Sequence, residues 1–230
     1  TERLTLRHTA VINPTDEGLL WLNMTASSRF LSEDSVWLST TTPLLLQPAS
    51  AGAPAITLRR SIVAGDSMCI YMDTSYFAGT FSLQDVTLAR TSGVDHVLVH
   101  VNGVDGAGSF AFTNVIAHPA ATIYRNNNLT NVASIVVNGA SVSPGRTAYF
   151  TGGGNVQTAF DGNYIDADPQ YVDTDVPGAL SGGTVRRWDS RANTAYDVLN
   201  RDFATAGSGG GRLTGGAQLG FALGTMITIK

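Results

Sequence analysis

Cysteine, charged residues and long apolar runs are all scarce in this chain of 230 residues, and each of these features argues against a particular kind of structure or partner. The single cysteine, Cys69, excludes a disulfide within one chain, and its apolar surroundings predict a buried thiol. Charged residues make up only 14% of the sequence, and the net charge of -4 gives no reason to expect a nucleic-acid partner. No apolar run approaches the roughly 18 residues that a membrane-spanning helix needs, so we expect no membrane span.

What the sequence has instead is a repeat. Between Leu4 and Phe150 one apolar pattern recurs six times, at intervals of 25 to 29 residues, and each copy opens with a strand-like triplet. Such a period is typical of solenoids, in which each repeat buries its apolar face against its neighbours. The last residues of the triplets are therefore predicted to stack as one internal ladder: Leu6, Leu31, Leu58, Leu83, Phe112 and Val137.

Three stretches carry a family resemblance. Residues 124–131 form an Asn-rich bend, residues 163–173 contain Ala-Asp-Pro-Gln-Tyr-Val-Asp, and Arg201–Phe203 precedes a Gly-rich run at 215–220. They resemble the right-handed parallel β-helix superfamily, which includes pectate-lyase-like enzymes, phage tailspikes and surface adhesins. The resemblance implies an all-β fold, with a parallel β-helix of about six coils in residues 1–175. Residues 176–230 are then a Gly-rich closing, capping or assembly segment.

The middle residue of each triplet is predicted to face outward. In the first strand of each copy these residues are mixed, with small hydroxyls prominent: Thr5, Phe30, Thr57, Ser82, Ala111 and Val136. In the second strand they are apolar throughout: Trp21, Leu45, Ile70, Leu98, Ile123 and Tyr149. A continuous apolar strip is typical of an interface or of a covered face. We predict an oligomer interface there, and cover by a long loop or the C-terminal segment, or a sugar-stacking platform, are the alternatives.

Small hydroxyl and amide side chains are the candidates for glycan contact. They lie on the first strands and on the Asn-rich bend: Thr5, Thr57, Ser82, Asn126, Asn127 and Asn128. Hydroxyls and amides match sugar hydroxyls as paired donors and acceptors. The same residues have a plainer explanation, because Thr favours strands and Asn favours tight bends.

Residues that could carry catalysis or hold a metal are sparse. His96 and His100 share strand parity but lack a third metal ligand. The densest acidic cluster comprises Asp161, Asp166, Asp168, Asp173 and Asp175. Its first three members are weak Ca²⁺ candidates, and we favour a structural closing loop instead. Two of these carboxylates across a groove could also cleave a glycosidic bond, and a lyase would want a basic residue such as Arg125 or Arg146. We assign no catalytic residue and no cofactor other than this Ca²⁺ alternative.

The function that these features favour is structural. We predict a non-catalytic spike, fibre or decoration component of a virion or cell surface, located outside the cell, with polysaccharide as a candidate partner. By the family resemblance we expect a homo-oligomer, a trimer first, or a place in a larger assembly. Because the first coil starts beside Thr1 with no cap before it, we also expect a domain or another chain there. The alternative is a secreted polysaccharide lyase or glycoside hydrolase, which would gather carboxylates and arginines with perturbed pKa values on one sheet.

Overall fold

A computed structural model describes residues 2–13, 18–39, 41–48, 53–65, 68–73, 77–90, 97–102, 108–118, 122–126, 134–138, 141–142, 148–152, 158–160, 164–165 and 225–228. The strands among them are, in chain order, β1 (Arg3–Arg7), β2 (Thr9–Asn13), β3 (Leu19–Met24), β4 (Arg29–Glu33), β5 (Val36–Ser39), β6 (Leu44–Pro48), β7 (Ala55–Arg59), β8 (Ile62–Gly65), β9 (Ile70–Asp73), β10 (Thr80–Gln84), β11 (Thr87–Arg90), β12 (Val97–Asn102), β13 (Ser109–Thr113), β14 (Ile116–His118), β15 (Thr122–Asn126), β16 (Ser134–Asn138), β17 (Ser141–Val142), β18 (Ala148–Gly152), β19 (Thr158–Phe160), β20 (Tyr164–Ile165) and β21 (Thr225–Thr228). The described part of the chain has no helix long and apolar enough to cross a membrane.

These strands form three parallel sheets, and up to β20 the chain adds one strand to each sheet in turn. The first sheet has the order β1-β4-β7-β10-β13-β16-β19, and the third has β18-β15-β12-β9-β6-β3. The second sheet has the order β20-β17-β14-β11-β8-β5-β2-β21, so the C-terminal strand pairs with β2. For the described residues, the prediction of an all-β fold built from parallel sheets is confirmed, and this arrangement is compatible with a parallel β-helix.

The first sheet points two rows of side chains into the core. One row contains Leu4, Phe30, Ile56, Phe81 and Phe110, and the other contains Leu6, Ser32, Leu58, Leu83 and Phe112. The backbone of Ile135 and Val137 pairs in register with Phe110 and Phe112. Burial alternates along each strand: in β7, Ile56 and Leu58 are fully buried while Thr57 between them is half-buried. Because a row is completed only by neighbouring turns of the chain, no single turn can bury its own apolar face.

The predicted internal ladder is confirmed in register at five of its six positions and is wrong at Leu31. Ser32 takes the inward place instead, Leu31 is half-buried on the outward side, and Phe30 is buried rather than outward. The alternation in β4 therefore runs Phe30-Leu31-Ser32, one residue later than the apolar pattern suggested.

A buried tryptophan explains the serine in the ladder. Trp37 of β5 is fully buried, and its Nε1–H donates a hydrogen bond to Ser32 Oγ over 2.7 Å. Its ring centroid lies 5.9 Å from that of Phe30 in an edge-on arrangement. A buried indole N–H without an acceptor would cost about 1–3 kcal/mol. The small hydroxyl thus leaves room for the indole and satisfies its donor.

The register of the first sheet can be tested with a matched pair of leucines. Leu58→Ala should lower the free energy of unfolding by about 2–5 kcal/mol, because it opens a cavity in the core. Leu31→Ala removes the same atoms from the half-buried outward row, so its loss should be clearly smaller. Urea unfolding of both variants measures the difference. Equal losses, or a larger loss for Leu31→Ala, would contradict the assigned register.

Candidate binding surfaces

A sharp bend between the first and second sheets recurs in successive turns of the chain. Five non-glycine residues occupy the same place in this bend, with φ between 43° and 54°, and we call them the bend ladder: His8, Asp34, Arg60, Asp85 and Asn114. The backbone N–H of each of the first four donates to a carbonyl on the neighbouring turn, over 2.9–3.2 Å. Asn, Asp and His adopt positive φ more readily than most residues do. The ladder therefore turns the chain and links adjacent turns at once.

Side chains of the bend ladder and its neighbours also pair along the stack. Arg60 donates to both carboxylate oxygens of Asp34 and, over 2.6 Å, to Glu33, which also accepts from Arg7 over 2.9 Å. Two turns further along, the Asn114 amide donates to Asp85 over 2.9 Å. The hydrogen bond from Arg60 and the added bond from Arg7 lower the pKa of Glu33 despite its partial burial. The pKa of Arg60 is raised, first by Asp34 and then by Glu33. The positive charge of Arg60 is thus paired with the carboxylates of Asp34 and Glu33 within the fold.

Buried hydroxyls form a second set of links beside the bend. Thr9, Ser35 and Ser61 follow the bend in three successive turns, and each hydroxyl donates over 2.8 Å to the carbonyl two residues before it. The hydroxyls of Ser35 and Ser61 also accept a backbone N–H from the turn before, over 3.3 Å. Buried polar groups are costly when unpaired, and these are satisfied within the stack.

The bend ladder has a signal in the sequence that is separate from the apolar pattern. Each ladder member lies two residues after an inward residue of the first sheet, as Asp85 follows Leu83 and Asn114 follows Phe112. Asp and Asn at that offset could have predicted the bend. Arg60 could not, because arginine has no particular preference for positive φ.

The predicted glycan residues are only partly brought together. Thr5, Thr57 and Ser82 share one outward row of the first sheet, with Leu31 between the two threonines. Asn126 ends β15 in the third sheet and pairs with Val101, so it lies on a different sheet from the hydroxyls. Asn127 and Asn128 lie outside the described residues. Their role in glycan contact stays a prediction.

The predicted apolar strip is not one row in the structure. Ile70 pairs with Leu44 and is fully buried, because Cys69 lies in the bend before β9 and the strand begins one residue later than assumed. Trp21 pairs with Leu46 and packs against the core, with its ring edge-on to Phe30 at 6.2 Å. The outward assignment was therefore wrong for Ile70 and Trp21.

The remaining members of that strip are distributed as follows. Leu45 is half-buried between the buried residues Leu44 and Leu46, so it lies on the outward side as predicted. Leu98, Ile123 and Tyr149 belong to β12, β15 and β18 of the third sheet, and the structure gives no side-chain detail for them. An oligomer interface involving these residues stays a prediction.

A mixed polar and aromatic row lies on the third sheet and was missed in the sequence. Tyr71 pairs with Leu45 on one side and with His100 on the other, and His100 pairs in turn with Arg125. Two residues further along, Asp73 pairs with Asn102 and accepts a hydrogen bond of 3.5 Å from Gln47. We call this set of strand positions the third-sheet surface: Leu45, Gln47, Tyr71 and Asp73, with the backbone positions of His100, Asn102 and Arg125 paired in register. Paired members on neighbouring strands are 25 to 29 residues apart in sequence, and a one-residue error in strand register hides them.

The metal and catalytic candidates lie mostly beyond what the structure describes. Among the described residues, no group of three or more His, Cys, Asp or Glu side chains could hold a metal ion. The following candidates fall outside the described residues: His96, Arg146, Asp161, Asp166, Asp168, Asp173 and Asp175. A Ca²⁺ site in the acidic cluster therefore stays a prediction.

Comparison of the chain with protein-family models, with curated proteins and with solved structures found no match. The candidate surfaces are thus defined by the geometry of this chain alone.

The charge pairs at the bend predict that the free energy of unfolding depends on pH. The pKa of Glu33 is lowered from its ordinary value of 4.5 in the folded state, so its contribution is fully present above pH 4.5. It is lost as the pH falls through the folded pKa, where the carboxylate takes up a proton. Urea unfolding should therefore show that the wild type has a higher free energy of unfolding than Glu33→Gln at pH 7, and that this difference shrinks as the pH falls to 3. If the two proteins lost stability in parallel over that whole range, the pairing would be without energetic effect.

Proposed function

We propose that the protein is a right-handed parallel β-helix of about six coils that acts as a non-catalytic structural component of a virion or cell surface, outside the cell. The observation that carries this proposal is the use of charged and polar side chains at the bends. Arg60 forms salt bridges with Glu33 and Asp34 of the neighbouring turn, and apart from Ser32 the described inward side chains of the first sheet are apolar. Both the paired bends and the apolar core would make the proposed β-helix stiff.

The bend pairs also bear on the enzymatic alternative. A lyase or hydrolase of this class would place carboxylates and arginines at a groove, with pKa values shifted toward catalysis. Hydrogen bonds from Arg60 and Arg7 lower the pKa of Glu33, so that its carboxylate stays charged to lower pH. A carboxylate held in that state fits a salt bridge and is a poor general acid. This favours the structural function over the hydrolytic one.

The ends of the sheets support the proposed assembly. Among the described strands, β1 and β3 end the first and third sheets on one side, and β19, β20 and β18 end the three sheets on the other. Terminal strands of a sheet present backbone groups that can pair with another chain. We propose that the protein works as a homo-oligomer, with a trimer as the first expectation, or within a larger particle.

The mass of the native particle tests the proposed assembly. Native mass spectrometry or light scattering should give a multiple of the chain mass of 24.1 kDa, and three copies is the expected multiple. The particle should also resist protease at concentrations that digest an unfolded control. A stable monomer that is digested readily would contradict the proposed role.

A second candidate function is glycan binding at the third-sheet surface. Tyr71 is half-buried, and the Gln47–Asp73 pair lies on the same side of the sheet, two residues along from it. An aromatic ring with an adjacent carboxylate and amide can stack on a sugar and bond its hydroxyls. His100 and Arg125 occupy the paired strand positions. Because arginine is always charged, an acidic polysaccharide is the proposed ligand class.

Glycan arrays distinguish this surface from the hydroxyl row of the first sheet. Tyr71→Ala should weaken binding of an acidic glycan about tenfold, a change of about 1.4 kcal/mol. Thr57→Ala is the matched control on the first sheet and should leave binding unchanged. A loss with Thr57→Ala alone would move the site to the first sheet. No binding by the assembled wild type would remove this second function and leave the structural one.

A further inference from the structure

The first strand has a neighbour on only one side within the described part of the chain. β1 pairs with β4, and no described strand lies beyond β1 in the first sheet. The backbone N–H of His8 donates to Glu33 of β4, so the backbone groups of the even-numbered residues in β1 face β4. Because successive residues of a strand alternate in direction, the backbone groups of Arg3, Thr5 and Arg7 face the outer edge.

The outer edge of β1 has the geometry of a strand-addition site. Among the described contacts, one of its backbone groups is engaged, the Arg7 carbonyl, which accepts from the Thr9 hydroxyl over 2.8 Å. The strand keeps unbroken register with β4 over all five of its residues. A regular edge with open backbone donors and acceptors is what an added strand pairs with.

The inward side chains of β1 show that the core is incomplete at this edge. Leu4 and Leu6 pack against the core cluster but are only half-buried. Phe30 in the row of Leu4 and Leu58 in the row of Leu6 are 1% and 0% exposed. A strand added beside β1 would place its own inward side chains over both leucines. Apolar residues therefore suit the inward positions of that strand.

Positive charge flanks the same edge. Arg3 and Arg7 are exposed and occupy the two ends of β1. The nearby carboxylates bond within the stack: Glu2 accepts from a hydroxyl of the next turn over 2.7 Å, and Glu33 accepts from Arg60 over 2.6 Å. Arg7 also bonds Glu33, yet its side chain stays 55% exposed. Because opposite charges on neighbouring strands attract, carboxylates suit the two ends of an added strand.

The other sheet ends are poorer templates for an added strand. In the second sheet, β21 already lies beside β2. In the third sheet, the register of β3 shifts between Trp21 and Met24, and Asn23 there has a φ of 55°. Such an irregularity interrupts the row of backbone groups that an added strand needs. At the opposite end of the stack, β19 and β20 are only three and two residues long.

We propose that the outer edge of β1 is a docking site for an extended segment of a partner protein. The segment joins the first sheet as a further strand, with apolar residues over Leu4 and Leu6 and carboxylates beside Arg3 and Arg7. This inference rests on the proposed place in a larger assembly. It specifies which end of the stack meets the partner and what chemistry the partner carries.

A labelled peptide, Ser-Asp-Val-Thr-Val-Asp-Ser, tests the site on the full chain by fluorescence anisotropy. Its sequence reads the same in both directions, so it fits parallel or antiparallel addition. Thr5→Pro removes an edge N–H that the pairing with β4 does not use, and proline is tolerated on an edge strand in this orientation. Binding should weaken at least about tenfold. Thr5→Val keeps the N–H and is the matched control, which should bind as wild type does.

Two altered peptides separate charge from backbone pairing on the wild-type protein. Lys in place of both Asp residues reverses the charge, and N-methylation of every residue removes the backbone donors while keeping the side chains. Each peptide should bind at least about tenfold more weakly than the original. The N-methylated peptide also keeps the proposal testable if urea unfolding shows that Thr5→Pro does not fold.

Several results would overturn the proposal. They are no binding of the original peptide to wild type, equal binding of all three peptides, or undiminished binding to a folded Thr5→Pro. Self-association of wild type that Thr5→Pro abolishes, without peptide binding, would assign the edge to a second copy instead. The native mass is measured without peptide, so a failure of the proposed assembly is distinguishable from a failure of this site.

Discussion

A positive φ at one bend position in each of five described turns is the constraint on which the other features of the described structure depend. It turns the chain from the first sheet into the second within one or two residues, so that each row stays aligned from turn to turn. For non-glycine residues this conformation costs of the order of 1 kcal/mol or more each. Backbone hydrogen bonds to the next turn, such as the 2.9 Å bond from Arg60 to Gln84, offset part of that cost. Arg60 is the least suited residue type in the ladder, and it makes the most side-chain bonds, to Asp34 and Glu33.

The sequence predicted the repeat and the parallel sheets because apolar periodicity records burial directly. It failed where another interaction outweighs hydrophobicity. At Ser32 the acceptor for a buried indole takes an inward place that a leucine-based pattern assigns to Leu31. At Ile70 the strand starts after a cysteine in the bend, which shifts the register by one residue. A shift of one residue moves every side chain of a strand to the other face, so the outer surfaces were the least predictable part.

The three outer faces of the described sheets differ in character, and that difference is what function can use. The second sheet is apolar and covered, the first carries small side chains such as Thr57 and Ser82, and the third carries Tyr71, Asp73 and Gln47. A solenoid separates these roles because each sheet repeats its own row. The bend pairs around Arg60 lie between the first and second sheets and link neighbouring turns. The described sheets thus present one apolar, covered face and one polar face.

The alignment of neighbouring turns can be measured most directly by disulfide formation across them. Leu31 and Thr57 are paired outward residues on adjacent parallel strands, and the spacing of about 4.8 Å lies within disulfide range. The double variant Leu31→Cys with Thr57→Cys should oxidise readily to an intramolecular disulfide, while Cys69 stays buried and unreactive. Leu31→Cys with Ser82→Cys, two strands apart at about 10 Å, should remain reduced. Failure of the first pair to oxidise, or equal oxidation of both pairs, would contradict the stacked parallel register.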